Sequence, residues 1–150
     1  MTPYPHQRYD KDYLISAVND YIDNTLIPAR TTNGQHSLCP FVKTYRDSIE
    51  VGVISTNFKE SLAAYCESFL KTRPQAMVLA VNMPVSEEDI RIDCERMLNR
   101  QGFEEITILT MHPGPDPRMF KKTDLVIVQW EDRLNLARAV LKNQGYFTTK

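Results

Sequence analysis

The chain has 150 residues, of which 42% are hydrophobic and 25% are charged, and its 18 Lys and Arg against 19 Asp and Glu give a net charge of -1. A domain of this size buries roughly two thirds of the surface that its unfolded chain exposes, so it needs no disulfide or metal to fold. The near-neutral charge argues against a basic face for a phosphate backbone, and we expect no nucleic-acid partner.

The N-terminus lacks the apolar core of a signal peptide, and no apolar run approaches the roughly 18 residues that span a bilayer. We therefore expect no membrane partner. Three widely spaced cysteines are an odd count and do not form a disulfide framework. Reduced thiols fit a cytoplasmic location, which is the expected compartment.

In chain order, the first half predicts a helix, a polar loop, a strand and a second helix. Apolar residues at spacings of three and four predict a helix over residues 10–24. Residues 31–37 are the most polar stretch of the chain and predict a loop. Alternating β-branched residues predict a strand over 49–54, and an apolar stripe predicts the helix that follows over 58–73.

The second half begins with an uninterrupted apolar run over residues 76–81, which is typical of a strand covered on both faces. Turn residues and apolar spacing predict the remaining elements: a helix between Ser86 and Gly102, strands over 105–110 and 124–129, and a final helix over 131–144.

Two short crossovers through helices imply parallel neighbouring strands. We therefore expect an α/β fold: a single layered domain over residues 1–150, with helices packed on a four-stranded, mostly parallel or mixed sheet. Residues 1–9 are expected to be a flexible N-terminus. The direction of the fourth strand stays open, because the connection over 111–123 is compatible with a parallel or an antiparallel strand.

Ligands of open α/β sheets gather at the carboxyl ends of the strands. Thr56 and Asn57 follow the first predicted strand, Asn82 follows the second and His112 follows the third. We expect Thr56, Asn57 and Asn82 to contact a substrate there.

Three prolines stiffen the segment after the third strand, which holds His112, Asp116 and Arg118 at fixed positions. Cys39 lies outside any periodic pattern, between a polar loop and a proline. These residues predict a small enzyme in which Cys39 is the nucleophile, His112 its base and Asp116 the group that orients the imidazole. Arg118 would help to bind a small polar or anionic metabolite. No cofactor is needed in this interpretation.

Two alternatives remain open. His36, Cys39 and His112 have the chemistry to ligate zinc or another transition metal. Otherwise the protein is a non-catalytic module that binds a small molecule or another protein, with Cys39 packed and a homodimer formed through the tyrosines of the first helix. Cys66 and Cys94 lie on apolar stripes and are expected to be core thiols.

Two helix starts differ in charge. The helix after Asn57 has no acidic residue before Glu60, so its amides are suited to an anion. The helix after Ser86 begins with three acidic residues (Glu87, Glu88 and Asp89), which complement its dipole and repel an anion.

Two short motifs carry a resemblance to a known group. The segment Leu38-Cys39-Pro40-Phe41 and the pair His112-Pro113 at a strand end resemble small bacterial domains of unknown function that share both features. The resemblance extends from Leu38 to the final helix and implies that Cys39 and His112 belong together. This chain departs from those domains after the His-Pro pair, where they have a longer polar insertion.

Overall fold

The computed structural model describes residues 9–26, 48–115 and 119–132. The predicted polar loop at 31–37 and nearly all of the predicted final helix lie outside these residues. The described elements, in chain order, are α1 (Lys11–Tyr21), continued by a π-helical turn (Ile22–Leu26), β1 (Ile49–Ile54), α2 (Phe58–Thr72), β2 (Ala76–Val81), α3 (Glu87–Leu98), β3 (Ile106–Met111) and β4 (Asp124–Trp130).

The four strands form one mixed sheet in the order β1-β2-β4-β3. β1 pairs with β2 in parallel, whereas β4 is antiparallel to both β2 and β3. The predicted α/β class is confirmed. The prediction allowed a mostly parallel or a mixed sheet, and the sheet is mixed. The expectation that β2 and β3 are parallel neighbours is wrong, because β4 inserts between them.

Helices cover both faces of the sheet. α2 and α3 pack on one face, where Met77, Leu79 and Val81 point, and α1 packs on the other against Val78 and Ala80. All six residues of β2 are buried, as its continuous apolar run predicts. None of the helices in the described part of the chain is long and apolar enough to cross a membrane.

The outer edge of β1 is covered by a tyrosine of α2. The Tyr65 hydroxyl donates to the Val53 carbonyl (3.2 Å) and accepts from the Val53 amide (3.3 Å). The ring lies directly over Gly52, where a Cβ atom would be 2.7 Å from Tyr65 Cε1. Glycine at this position therefore lets a side chain satisfy backbone groups that an edge strand otherwise leaves exposed.

Trp130, the last residue of β4, anchors the end of the sheet where β4 finishes and β3 begins. Its indole Nε1 donates to the Pro74 carbonyl across 2.6 Å, and its ring stacks on Phe69 at a centroid distance of 4.5 Å. The Arg73 guanidinium also lies over the indole, 4.2 Å from the ring centroid. These contacts join the end of α2 to β4.

Candidate functional site

Three strand ends and one strand start share an edge of the sheet. β1, β2 and β3 point in one direction and β4 in the other, so the carboxyl ends of the first three lie beside the amino end of β4. Register confirms this arrangement, because Val81 faces Asp124 and Met111 faces Leu125. His112, one residue beyond β3, is therefore brought next to Asp124.

His112 and Asp124 form a close side-chain contact at this edge. Nδ1 of His112 lies 2.5 Å from Oδ1 of Asp124. The imidazole side chain is 45% exposed, whereas the Asp124 side chain is 2% exposed. A buried carboxylate thus fixes the orientation of a ring that solvent and small molecules reach.

Asp124 is buried on the sheet face that α2 and α3 cover. Alternation along β4 places it with Val126 and Val128, which belong to the core beneath those helices. Among the described residues, no donor contacts its second carboxylate oxygen, Oδ2. Burial of a charged group without full hydrogen bonding is costly, so the His112 contact is the main compensation that the described residues offer.

The other ring nitrogen of His112 faces α3. Nε2 lies 3.8 Å from Oε1 of Glu87, the first residue of that helix. Ser86 caps the helix by accepting a hydrogen bond from the Asp89 amide across 3.1 Å. Because this cap fixes the start of α3, Glu87 is held beside the imidazole, although 3.8 Å is too long for a direct hydrogen bond.

Asn82 occupies the predicted edge, but its amide already has partners. Its Oδ1 accepts from the Tyr9 amide (2.9 Å) and its Nδ2 donates to the Tyr9 carbonyl (2.8 Å). Asn82 is 3% exposed and lies on the face that α1 covers. It therefore anchors the chain before α1, which leaves its amide little capacity for the substrate contact that we predicted.

Thr56 and Asn57 are exposed at the end of β1. The Thr56 carbonyl accepts a hydrogen bond from Ser61 Oγ across 2.7 Å. Asn57 precedes α2 in the left-handed region, with φ of 45° and ψ of 67°, and its side chain makes no capping hydrogen bond. Both side chains lie at the predicted edge, and their role in substrate binding stays a prediction.

Two lysines near this edge contact groups of the chain itself. Lys121 donates to the Gly114 carbonyl. The ammonium of Lys122 lies 5.9 Å and 5.5 Å from the ring centroids of Tyr9 and Tyr13, which stack on each other. A hydrogen bond to the Tyr13 side chain raises the pKa of Lys122.

The two core cysteines match their predicted place. Cys66 and Cys94 are free, buried and part of the core under α2 and α3. Burial raises the pKa of each thiol from 9.0 to about 12. Thiols with such pKa values stay protonated near neutral pH, so neither is suited to act as a nucleophile.

Several predicted site residues lie outside the described residues: His36, Cys39, Asp116 and Arg118. The Cys39 pairing, the Asp116 contact and the zinc ligand set therefore stay predictions. Within the described part of the chain, no group of three or more His, Cys, Asp or Glu side chains is arranged to hold a metal ion.

Sequence reasoning missed Asp124 and Glu87 as neighbours of His112. One signal for Asp124 exists in the sequence, since it is the only charged residue in the strand-forming run at 124–130. Its partner depends on the direction of β4, which the sequence left open. For Glu87, the acidic helix start was recognised, but its distance from His112 depends on how α3 packs.

Comparisons with protein-family models, with curated proteins and with solved structures find no match for this chain.

Proposed function

We propose that the protein is a small enzyme in which His112 transfers protons to and from a small polar metabolite at the carboxyl edge of the sheet. The observation that carries this proposal is the 2.5 Å contact between His112 Nδ1 and the buried Asp124 carboxylate. An imidazole that is oriented on one side and exposed on the other is the arrangement that general acid–base catalysis needs.

The tautomer follows from the chemistry of the two groups. An ionised carboxylate only accepts hydrogen bonds, so the Nδ1 atom of His112 carries the hydrogen that Asp124 accepts. Nε2 then presents a lone pair toward a reacting group. After Nε2 takes a proton, Asp124 stabilises the resulting imidazolium.

Cys39 remains the proposed nucleophile of this reaction. Its thiol gives a proton to Nε2 of His112, and the thiolate forms a bond to an electrophilic carbon of the substrate as the bond from that carbon to a leaving group breaks. The imidazolium then returns its proton to the leaving group. In this scheme Asp124 has the orienting role that we predicted for Asp116, and Arg118 stays the predicted substrate contact. A reduced thiol of this kind fits the proposed cytoplasmic location.

A metal-binding function is the second candidate, and the same contact favours it. Metal-ligating histidines commonly donate a hydrogen bond from their other ring N–H to a carboxylate, and the contact between His112 Nδ1 and Asp124 fits this pattern. His36 and Cys39 are then the further ligands, and the neutral Nε2 of His112 binds zinc.

Alkylation of Cys39 tests the proposed enzyme without knowledge of its substrate. Iodoacetamide should label Cys39 of the native protein at pH 7. His112→Asn should slow the labelling about tenfold, because the Cys39 thiol loses the base that takes its proton. His6→Asn is the matched control and should label at the wild-type rate. Peptide mapping by mass spectrometry identifies the labelled residue.

Two results would contradict the reactive pair: no labelling of native Cys39, or equal labelling rates in the wild type and His112→Asn. Elemental analysis of the purified protein distinguishes the metal-binding function from the thiol enzyme. One zinc per chain that is lost in His112→Asn would favour the metal site over the free thiol.

A further inference from the structure

We propose that this site takes a substrate with a positively charged group, an amine or a guanidinium, which the Glu87 carboxylate binds beside His112. The inference rests on the proposed function. It gives the predicted small polar metabolite a cationic group at this site, in place of an anionic group.

The first support is the charge on either side of the imidazole. His112 lies between two carboxylates, Asp124 at 2.5 Å and Glu87 at 3.8 Å. Asp124 is buried, so water screens its charge less than that of a surface group. Both carboxylates contact the same side chain, the imidazole of His112. The resulting field attracts a cation and repels an anion.

The second support is that the neighbouring cationic side chains already contact other groups. Lys121 donates to the Gly114 carbonyl, and Lys122 lies over two tyrosine rings. Arg91 of α3 is held by Glu88 (2.5 Å) and Glu95 (2.8 Å). These contacts engage the three cationic side chains with groups other than Glu87.

The third support is the gap between the two groups. Glu87 Oε1 and His112 Nε2 are 3.8 Å apart, and the Glu87 side chain is 67% exposed. Glu87 Oε1 can accept a hydrogen bond of about 2.8 Å from a cationic group and hold that group next to Nε2, whose lone pair then stays available to the reacting group. An ammonium or guanidinium group has several N–H donors, so it can bind Glu87 and place its neighbouring atoms at Nε2.

The start of α3 adds to this preference. Glu87, Glu88 and Asp89 all lie in its first turn, and they complement the positive end of the helix dipole. The helix start that is free of acids belongs to α2, which lies after β1. The imidazole is thus beside the helix start that disfavours anions.

Titration of the His112 ring signals by NMR tests the inference. The probes are guanidinium chloride and ethylammonium chloride, compared with sodium acetate and sodium phosphate at constant ionic strength. We expect each cation to shift the His112 signals, with a half-saturation concentration about tenfold lower than that of acetate. Glu87→Gln should raise that concentration about fivefold. Glu67→Gln removes an exposed carboxylate of α2 and keeps both contacts of Arg91, so it should leave this concentration unchanged.

The inference is overturned if acetate or phosphate binds more tightly than both cations, or if neither cation saturates below about 100 mM. It is also overturned if Glu87→Gln binds the cations as the wild type does. Failure of the proposed function has a different signature. In that case Cys39 labelling is insensitive to His112→Asn, whatever the charge of the ligand that the site prefers.

Discussion

Replacement of Gly52 by alanine is a sharp test of how the edge of β1 is protected. The new Cβ would lie 2.7 Å from Tyr65 Cε1 and 2.9 Å from Leu79 Cδ2, which is closer than carbon atoms approach without displacement. Leu79 belongs to the closely packed core, so the Tyr65 ring must move. Its movement breaks both hydrogen bonds between the tyrosine hydroxyl and the Val53 backbone.

The cost follows from these two effects. Overpacking of a well-packed site costs about 1–3 kcal/mol, and each lost hydrogen bond costs about 1 kcal/mol. Alanine restricts the unfolded chain and offsets about 0.4–1 kcal/mol of this loss. We therefore expect Gly52→Ala to lower the free energy of unfolding by about 2–4 kcal/mol.

Urea denaturation followed by circular dichroism measures this change. Gly114→Ala is the matched control, because the nearest atom to its new Cβ is the His112 carbonyl oxygen at 3.9 Å. It should change stability by less than about 0.5 kcal/mol. A double-mutant cycle with Tyr65→Ala isolates the clash, since the Gly52 substitution should cost little once the ring is removed. A wild-type midpoint for Gly52→Ala, or additivity in the cycle, would refute the reasoning.

Three further predictions concern stability. Trp130→Phe should lower the free energy of unfolding by about 1–3 kcal/mol, because a buried carbonyl loses its indole donor; urea denaturation measures it. Asn82→Ala should free the chain at Tyr9, so limited proteolysis should cut the N-terminal segment faster than in the wild type, and equal rates would contradict the anchor. Cys66 and Cys94 have folded pKa values of about 12 against 9.0, so only the unfolded chain loses these protons between those values. Stability should therefore fall as pH rises above about 9, more steeply than in a variant with both cysteines replaced by alanine.

The elements of the fold were accessible to sequence reasoning because their signals are local. The buried stripe of α2 and the continuous apolar run of β2 each predict their own structure within one or two residues. Strand order is not a local property. The insertion of β4 between β2 and β3 depends on the long connection after Met111, which imposes no direction on the strand that follows.

The same difference between local signals and long-range packing applies to the candidate site. His112 was predicted from its position after a strand and before a proline, both of which are visible in the sequence. Asn82 was predicted by the same rule, yet its amide binds the backbone of Tyr9, which precedes it by 73 residues. Contacts of this range require the packing of α1 on the sheet, and no spacing rule supplies it.

The direction of β4 decides whether His112 has a carboxylate partner at all. As an antiparallel strand, β4 begins at the edge where β3 ends, so its first residue, Asp124, meets the residue that follows Met111. A parallel β4 of seven residues would carry Asp124 to the other edge of the sheet, roughly 20 Å away at about 3.3 Å per residue. The carboxylate–imidazole pair therefore depends on β4, which runs antiparallel to the other three described strands. The topology, and not the proline-stiffened loop alone, makes His112 a candidate for acid–base chemistry.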